Sequence, residues 1–415
     1  MSSEGWDIFK ISDIGKIVTG KTPSTQNIDN FGEKYPFITP RDMMGQKKID
    51  KTERYLSEEG KNSVKNCLLP ANSICVSCIG SDMGKVVMTT TDSVTNQQLN
   101  SIICHRSFDP DFVYYALVNI SEELRNAGRH STAVPILNKS DFSNFEITAP
   151  DIAIQRRIAA ILSALDEKIE LNRQTNATLE AIAQAVFKEW FVDFHFPGAT
   201  GEMQDSELGP IPKGWREGQL GVISKIKHGF AFKGECFSEE ETDDILLTPG
   251  NFKIGGGFNH AKFKYYAGEY PSEYVLCQHD LVVTMTDLSK DGDTLGFPAL
   301  VPLIDGKKIL HNQRIGKVET DRNDSWKLYL YFVMQQKSYR DYVLSGATGS
   351  TVRHTSPSRI CDHLIVMPPS PVLQSFENAV QALVDKIDYN HVQSTVLTQI
   401  RDRLLPKLMS GEIAV

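Results

Sequence analysis

The sequence predicts an α+β protein built from two pseudo-symmetric α/β domains, separated by two long helices that pair as an antiparallel coiled coil. Three observations carry that prediction: an internal repeat, short apolar runs bracketed by turn residues in each copy, and a long helical segment closing each copy. Gly5-Trp6 recurs as Gly214-Trp215, Gly20 as Gly229 and Thr39-Pro40 as Thr248-Pro249, each 209 residues on. Asn96-Gln97 returns as Asn312-Gln313 at an offset of 216, Ser131-Thr132 as Ser350-Thr351 and Pro150 as Pro369 at 219, and Lys168-Ile169 as Lys386-Ile387 at 218. Insertions in surface loops explain the drift, because closing a slightly longer loop costs little. A duplicated unit gives one chain an approximate two-fold, so its ligand is expected to come in two halves.

Residues 1–150 form the first domain. Tyr35–Pro40, Ser73–Ile79 and Lys85–Thr89 are apolar runs broken by Gly, Asp, Asn and Pro, which predicts short strands. Asp109–Val118 has a helical pattern after an Asp-Pro start. Residues 151–197 hold the first long helix, with Leu165, Ile169, Asn172, Asn176, Leu179, Ala183, Val186 and Trp190 at alternating steps of four and three. That spacing is a coiled-coil seam. Residues 198–212 are a linker, 213–369 the second domain and 370–415 the second long helix. Its matching seam runs Leu383, Ile387, Asn390, Ser394, Leu397, Arg401, Leu404 and Leu408. Both seams carry Asn at one place; a buried Asn sets register, whereas an exposed one marks a gap, and its recurrence favours register.

With 40% hydrophobic and 23% charged residues, large-scale disorder is not expected. No run approaches ~18 apolar residues, so no membrane span is expected. Met1–Trp6 lacks a basic start followed by an apolar stretch, so no secretory leader is expected either. Seven scattered cysteines suit a reducing cytoplasm better than a disulfide framework. Cys75-x-x-Cys78 followed by Cys104-His105 invites a zinc reading, but Ile74–Ile79 is an apolar run and its counterpart Leu281–Met285 has no cysteine; no metal site is expected. A formal charge of −8 neither forbids nor suggests nucleic-acid binding, which needs only local Lys and Arg.

Gly15–Thr22 fits the phosphate-loop pattern letter for letter. Such a loop must open a helix, yet Pro23–Asn27 is turn chemistry and the second copy lacks the Lys-Thr. A nucleotide-hydrolysing enzyme is therefore disfavoured. No methyltransferase motif, nuclease spacing or triad appears in either copy, which favours a non-catalytic chain. What remains is duplicated polar loop chemistry. Asn, Gln, Arg, Ser and Thr read base edges and hold phosphates, while the plain alternative is that they build turns and caps. A coiled-coil adaptor with two protein-binding heads would share the repeat but would not need such loops.

Three stretches resemble the specificity subunit of type I restriction-modification enzymes: Glu180–Phe194 its central helix end, Glu207–Trp215 the entry to its second target recognition domain, and Leu404–Ile413 its C-terminal end. The resemblance covers the whole chain. It implies sequence-specific binding of double-stranded DNA without catalysis, each domain reading half of a split site while the helices fix the unread gap. It further implies two methyltransferase subunits carrying S-adenosylmethionine that methylate adenine, and a restriction subunit driven by ATP with Mg that translocates and cleaves. No cofactor is expected on this chain.

The expected DNA-facing residues come from polar and basic loops of both copies. In the first they are Lys21, Thr22, Ser24, Arg41, Ser81, Lys85, Asn96, Gln97, Arg129, His130, Ser131 and Thr132. In the second they are Lys233, Asn251, Lys253, Ser289, Lys290, Asn312, Gln313, Arg314, Ser350, Thr351, Arg353 and His354.

Overall fold

In the computed structural model, which describes residues 5–128, 135–261, 263–320 and 325–415, the short apolar runs become strands where turn residues bracket them. The first copy holds a five-stranded sheet in the order Gly15–Thr19, Leu99–Cys104, Ile74–Ser77, Val86–Thr89, Lys48–Ile49. Beside it lies a four-stranded sheet, Phe31–Gly32, Arg54–Leu56, Tyr35–Ile38, Val94–Thr95. A further pair, Asp7–Lys10 with Glu146–Ala149, joins the start of the copy to its end. The second copy repeats this frame. Ser224–His228 pairs with Ile315–Thr320, which pairs with Leu281–Thr284, and Arg216–Gln219 closes on Leu364–Met367. Asp109 caps the helix Pro110–Asn119 by accepting the Phe112 N–H at 3.1 Å. Glycines 5 and 214, which open the copies, both have positive φ, at 90° and 87°. A conformation costly to other residues explains the first repeated letter.

The phosphate-loop match is a strand: Gly15–Thr19 pairs along Leu99–Cys104, and no helix follows Thr22. Burial pushes the Cys75 thiol up to about 12 and the Cys78 thiol up to about 11, so both behave as core hydrophobes. Among the described residues no helix is long and apolar enough to cross a membrane.

The chain divides into two compact units, residues 1–172 with 393–415, and residues 173–392. The division cuts through both 40-residue helices, Ile152–Phe191 and Ser370–Met409. In the first unit Ile158, Ala159 and Leu162 of one helix and Leu405, Leu408 and Met409 of the other are buried with Ile74, Phe112 and Ile147. In the second, Phe187, Phe191, Phe376, Val380 and Val384 are buried with Trp215, Leu330 and Ile365. Each helix half thus completes the core of one unit, and the chain's last turns belong to the first.

Within each unit the two helices run antiparallel. In the first, Arg401 meets Asp166 at 2.7 Å, and Asn172 Nδ2 donates to Gln393 Oε1 at 3.0 Å and Ser394 Oγ at 3.1 Å. In the second, Asn390 Nδ2 donates to Asn176 Oδ1 at 2.8 Å, and Asn176 Nδ2 donates to the Ile387 carbonyl at 3.2 Å. The seam leucines, isoleucines and valine at 165, 169, 179, 186, 383, 387, 397 and 404 are half-buried, whereas Asn172, Asn176 and Asn390 are 2%, 5% and 2% exposed. These asparagines are therefore not exposed gaps. Shifting either helix would strand a buried amide, which costs more than the hydrogen bond gains.

Different chemistry seats the two domains on their helix halves. The Lys47 side chain is only 9% exposed: its Nζ reaches Asp111 at 2.6 Å and Ser163 at 2.7 Å and lies over the Tyr115 ring. The Tyr115 hydroxyl donates to Asp166 at 2.6 Å. In the second unit His260 stacks on His391 with centroids 4.4 Å apart, and His279 bonds Asp388 at 2.8 Å. Burial, then the neighbouring His391 and Lys253, pushes His260 down to about 3. Burial likewise lowers His391, and takes His311 and His363 to about 4. As pH falls through about 6.5 the unfolded chain binds protons at these four sites and the folded unit does not, so stability falls. His279, raised by its hydrogen bond to Asp388, acts oppositely: its stabilisation is full below about 6.5 and is lost as pH rises through its folded value. Four sites outweigh one. The urea midpoint of the second unit's transition is expected to drop between pH 7 and 5, and less steeply in His260→Phe; an equal slope would remove the stacked pair from the account.

Candidate nucleic-acid interface

A hydrogen-bond pattern shared by the two copies in three of its four bonds gathers the repeated polar loops at one end of the sheet. In the first unit Gly20 N–H donates to the Leu99 carbonyl at 3.1 Å and Lys21 N–H to the Thr95 carbonyl at 2.9 Å. Cys78 N–H then donates to the Gln98 carbonyl, and Leu137 N–H to the Cys78 carbonyl, both at 2.8 Å. In the second unit Phe230 N–H donates to the His311 carbonyl at 2.8 Å and Gln313 N–H to the Phe230 carbonyl at 2.9 Å. Met285 N–H donates to the Arg314 carbonyl and Thr355 N–H to the Met285 carbonyl, both at 3.0 Å. The segment after the repeated Gly, the Asn-Gln segment, the turn leaving the central strand and the segment after the Ser-Thr pair therefore lie side by side, in the same order, in each unit.

This rim explains two of the repeated motifs. A Cβ on Gly20 would sit 2.1 Å from the Asn96 carbonyl oxygen, and one on Gly229 2.2 Å from the Asn312 carbonyl oxygen. Only glycine allows that approach. The Asn-Gln pairs are turns: Asn96 Oδ1 accepts the Gln98 N–H at 3.1 Å, and Asn312 Oδ1 accepts the Arg314 N–H at 3.0 Å. The turn-building alternative thus holds for both asparagines, and what they display is Gln97 in one unit and Gln313 with Arg314 in the other, all exposed.

The remaining candidates divide by what else they do. Lys21, Ser24, Arg41 and Ser81 are exposed, and Thr22 Oγ1 donates to Gln97 Oε1 at 2.8 Å. Lys85 pairs with Asp82 at 2.7 Å. In the second unit Lys233, Lys290, Ser350, Thr351 and His354 are exposed, with His354 Nδ1 3.1 Å from Thr286 Oγ1. Ser289 Oγ accepts the Asp293 N–H at 2.7 Å, and Arg353 Nε donates to the Lys290 carbonyl at 3.1 Å, so both shape a loop. Arg129, His130, Ser131 and Thr132 lie outside the described residues.

Asn96, 8% exposed, and Asn251 need correction as DNA-facing side chains. Asn251 is fully buried: its Oδ1 accepts the Thr248 N–H at 2.9 Å and the Thr248 hydroxyl at 3.0 Å. It is the cap of the Thr-Pro turn, as Asp42 is in the first copy, where Thr39 donates to it twice at 2.8 Å. Lys253 lies off the rim, 3.5 Å from Glu180 of the first long helix, and its ammonium is drawn to that carboxylate.

Sequence reading missed Asp287. Buried behind the rim, it accepts the Ser289 N–H and the Thr294 hydroxyl, both at 2.6 Å. Burial alone would raise its carboxyl, but the hydrogen bonds from Thr294 and Ser289 outweigh that and hold it below its ordinary value. The Asp-x-Ser spacing of an Asx turn was the available signal.

Residues 3–181 match the family described as type I restriction modification DNA specificity domain. The chain is 31% identical over 425 residues to the type I restriction enzyme MjaIX specificity subunit of Methanocaldococcus jannaschii, covering 99% of this chain and 94% of that one. It is 39% identical over 178 residues to the HindI specificity subunit of Haemophilus influenzae, covering 41% and 39%. Among solved structures, the S subunit of a type I restriction-modification system from M. genitalium superposes with a TM-score of 0.60 at 17% identity, over 97% of this chain and 96% of that one.

Proposed function

Because the chain belongs to the specificity subunits of type I restriction-modification enzymes, we propose that its two rims read the two halves of one split DNA site. It is a DNA sequence-specificity subunit and is itself non-catalytic. The observation that carries the split-site reading is that the same segments lie side by side in the same order in both units while the side chains on them differ. Thr22, Gln97 and Ser81 are displayed in the first, and Phe230, Gln313, Arg314 and Leu288 occupy the rim of the second. A common frame with different letters is what two different words require. Lys21, Arg41, Lys233, Lys290 and Arg314 hold phosphates and set orientation, while Gln97, Gln313 and Ser81 reach base edges.

The paired helices act as a coiled coil that fixes the unread gap, each about 60 Å long at 1.5 Å per residue. Buried asparagines hydrogen-bonded across the pair support a fixed register. Two methyltransferase subunits carrying S-adenosylmethionine dock on this chain to methylate adenine, and a restriction subunit using ATP and Mg translocates and cleaves, all in the cytoplasm.

Titration of the chain, in complex with its methyltransferase partner, on a panel of duplexes from 50 to 200 mM salt tests the reading. One sequence is expected to keep an advantage of about 10³-fold or more as overall affinity falls with salt. Equal, salt-dependent affinity for every duplex would leave only phosphate attraction and sink it.

A further inference from the structure

Resting on the base-reading role of the rims, we propose that Leu288 is a specificity-determining residue of the second unit, making apolar contact with the 5-methyl group of a thymine in the major groove. Leu288 is 65% exposed. Burying an exposed leucine is favourable only against another apolar surface, and among the atoms on base-pair edges in the major groove the thymine methyl is the apolar one.

The loop that carries Leu288 is held still. Asp287 accepts from Ser289, next to Leu288, and from Thr294 at the far end of the loop. The Asp293 N–H donates to Ser289 Oγ at 2.7 Å, Arg340 donates to the Gly292 carbonyl, and Arg353 Nε donates to the Lys290 carbonyl at 3.1 Å. The backbone of such a loop is already in place, so binding orders only the rotamers of the side chain it carries. The loop sits on the rim itself, since Thr286 faces His354 and the adjoining Met285 bonds to Arg314.

Charge argues for bases over backbone. Besides Lys290 the tip exposes Asp291 and Asp293. Two carboxylates repel phosphate, whereas in the major groove they accept from exocyclic amines. In the first unit the corresponding turn, between Ile74–Ser77 and Val86–Thr89, exposes Ser81 instead. One frame therefore presents a hydroxyl in one unit and an isobutyl group in the other.

The test uses the complex with the methyltransferase partner and duplexes in which each thymine of the second half-site is replaced in turn by deoxyuridine. Wild type is expected to lose about fourfold in affinity at one thymine, the worth of one buried methyl. Leu288→Ala should bind the parent duplex less tightly and lose nothing further at that position, with the other positions and the first half-site unaffected. Leu288→Ser should behave as the alanine variant does. Unchanged sensitivity of Leu288→Ala at every thymine, or a uniform loss on all sequences with unstacking reported by 2-aminopurine, would overturn the contact. A wild type without sequence preference would instead overturn the base-reading role beneath it.

Discussion

Exchange of residues 1–150 for the corresponding domain of a relative is expected to change one half of the methylated site and leave the other half as it was. Among the described residues, the first rim's hydrogen bonds from Gly20 through Thr95 and Gln98 to Cys78 and Leu137 close within the first unit. The second rim's own bonds, from Phe230 through His311 and Arg314 to Met285 and Thr355, close within the second unit. Each wrong base pair costs about 1–3 kcal/mol, so a changed half-site moves affinity by orders of magnitude. The graft must still cover Ile158, Leu162, Leu405 and Leu408, which are buried against the exchanged domain's Phe112 and Ile147. A junction that ignored the second helix would expose this apolar surface. Sequencing of methylated adenines in a host carrying the chimera is the measurement, and a change in both halves would contradict separate readout.

Phe376→Ala is expected to destabilise the second unit by about 4 kcal/mol, within the range for a fully buried aromatic. Phe376 is completely buried where three elements meet. Its ring lies 4.9 Å from Phe191, 6.0 Å from Trp190 and 5.9 Å from Phe332 by centroids. Phe191 in turn meets Trp215, which opens the second domain, at 6.0 Å. Removing one ring leaves a cavity whose walls belong to two helices and a domain, and they cannot all collapse into it. Thermal unfolding should shift down by about 10 °C for a unit of this size. A loss below about 1 kcal/mol would show that the cluster repacks.

Much of this could be read in the chain. The Glu180–Phe194 stretch was legible through its family resemblance, and the structure gives its Phe187, Trp190 and Phe191 the same neighbours, Phe376 and the second domain. Loop chemistry was legible less well. Asn96 and Asn251 read as polar residues beside a turn, yet both are buried and build the turn, and only the first sets an exposed Gln beside it. Lys47 and Lys21 both read as loop lysines, but Asp111 and Ser163, 64 and 116 residues beyond Lys47, claim that one.

By itself the sequence determined the duplication, the strand and helix texture, the seam with its asparagines, and the family, because periodicity, turn residues and short motifs are local and survive in one dimension. Only the tertiary structure decided that the last turns of the second helix complete the first domain's core, that the buried asparagines bond across the helices, and which loop residues stand on the rim. Those outcomes depend on partners brought from far along the chain, and burial, more than residue type, decides whether a polar side chain is spent on the fold or left for the ligand.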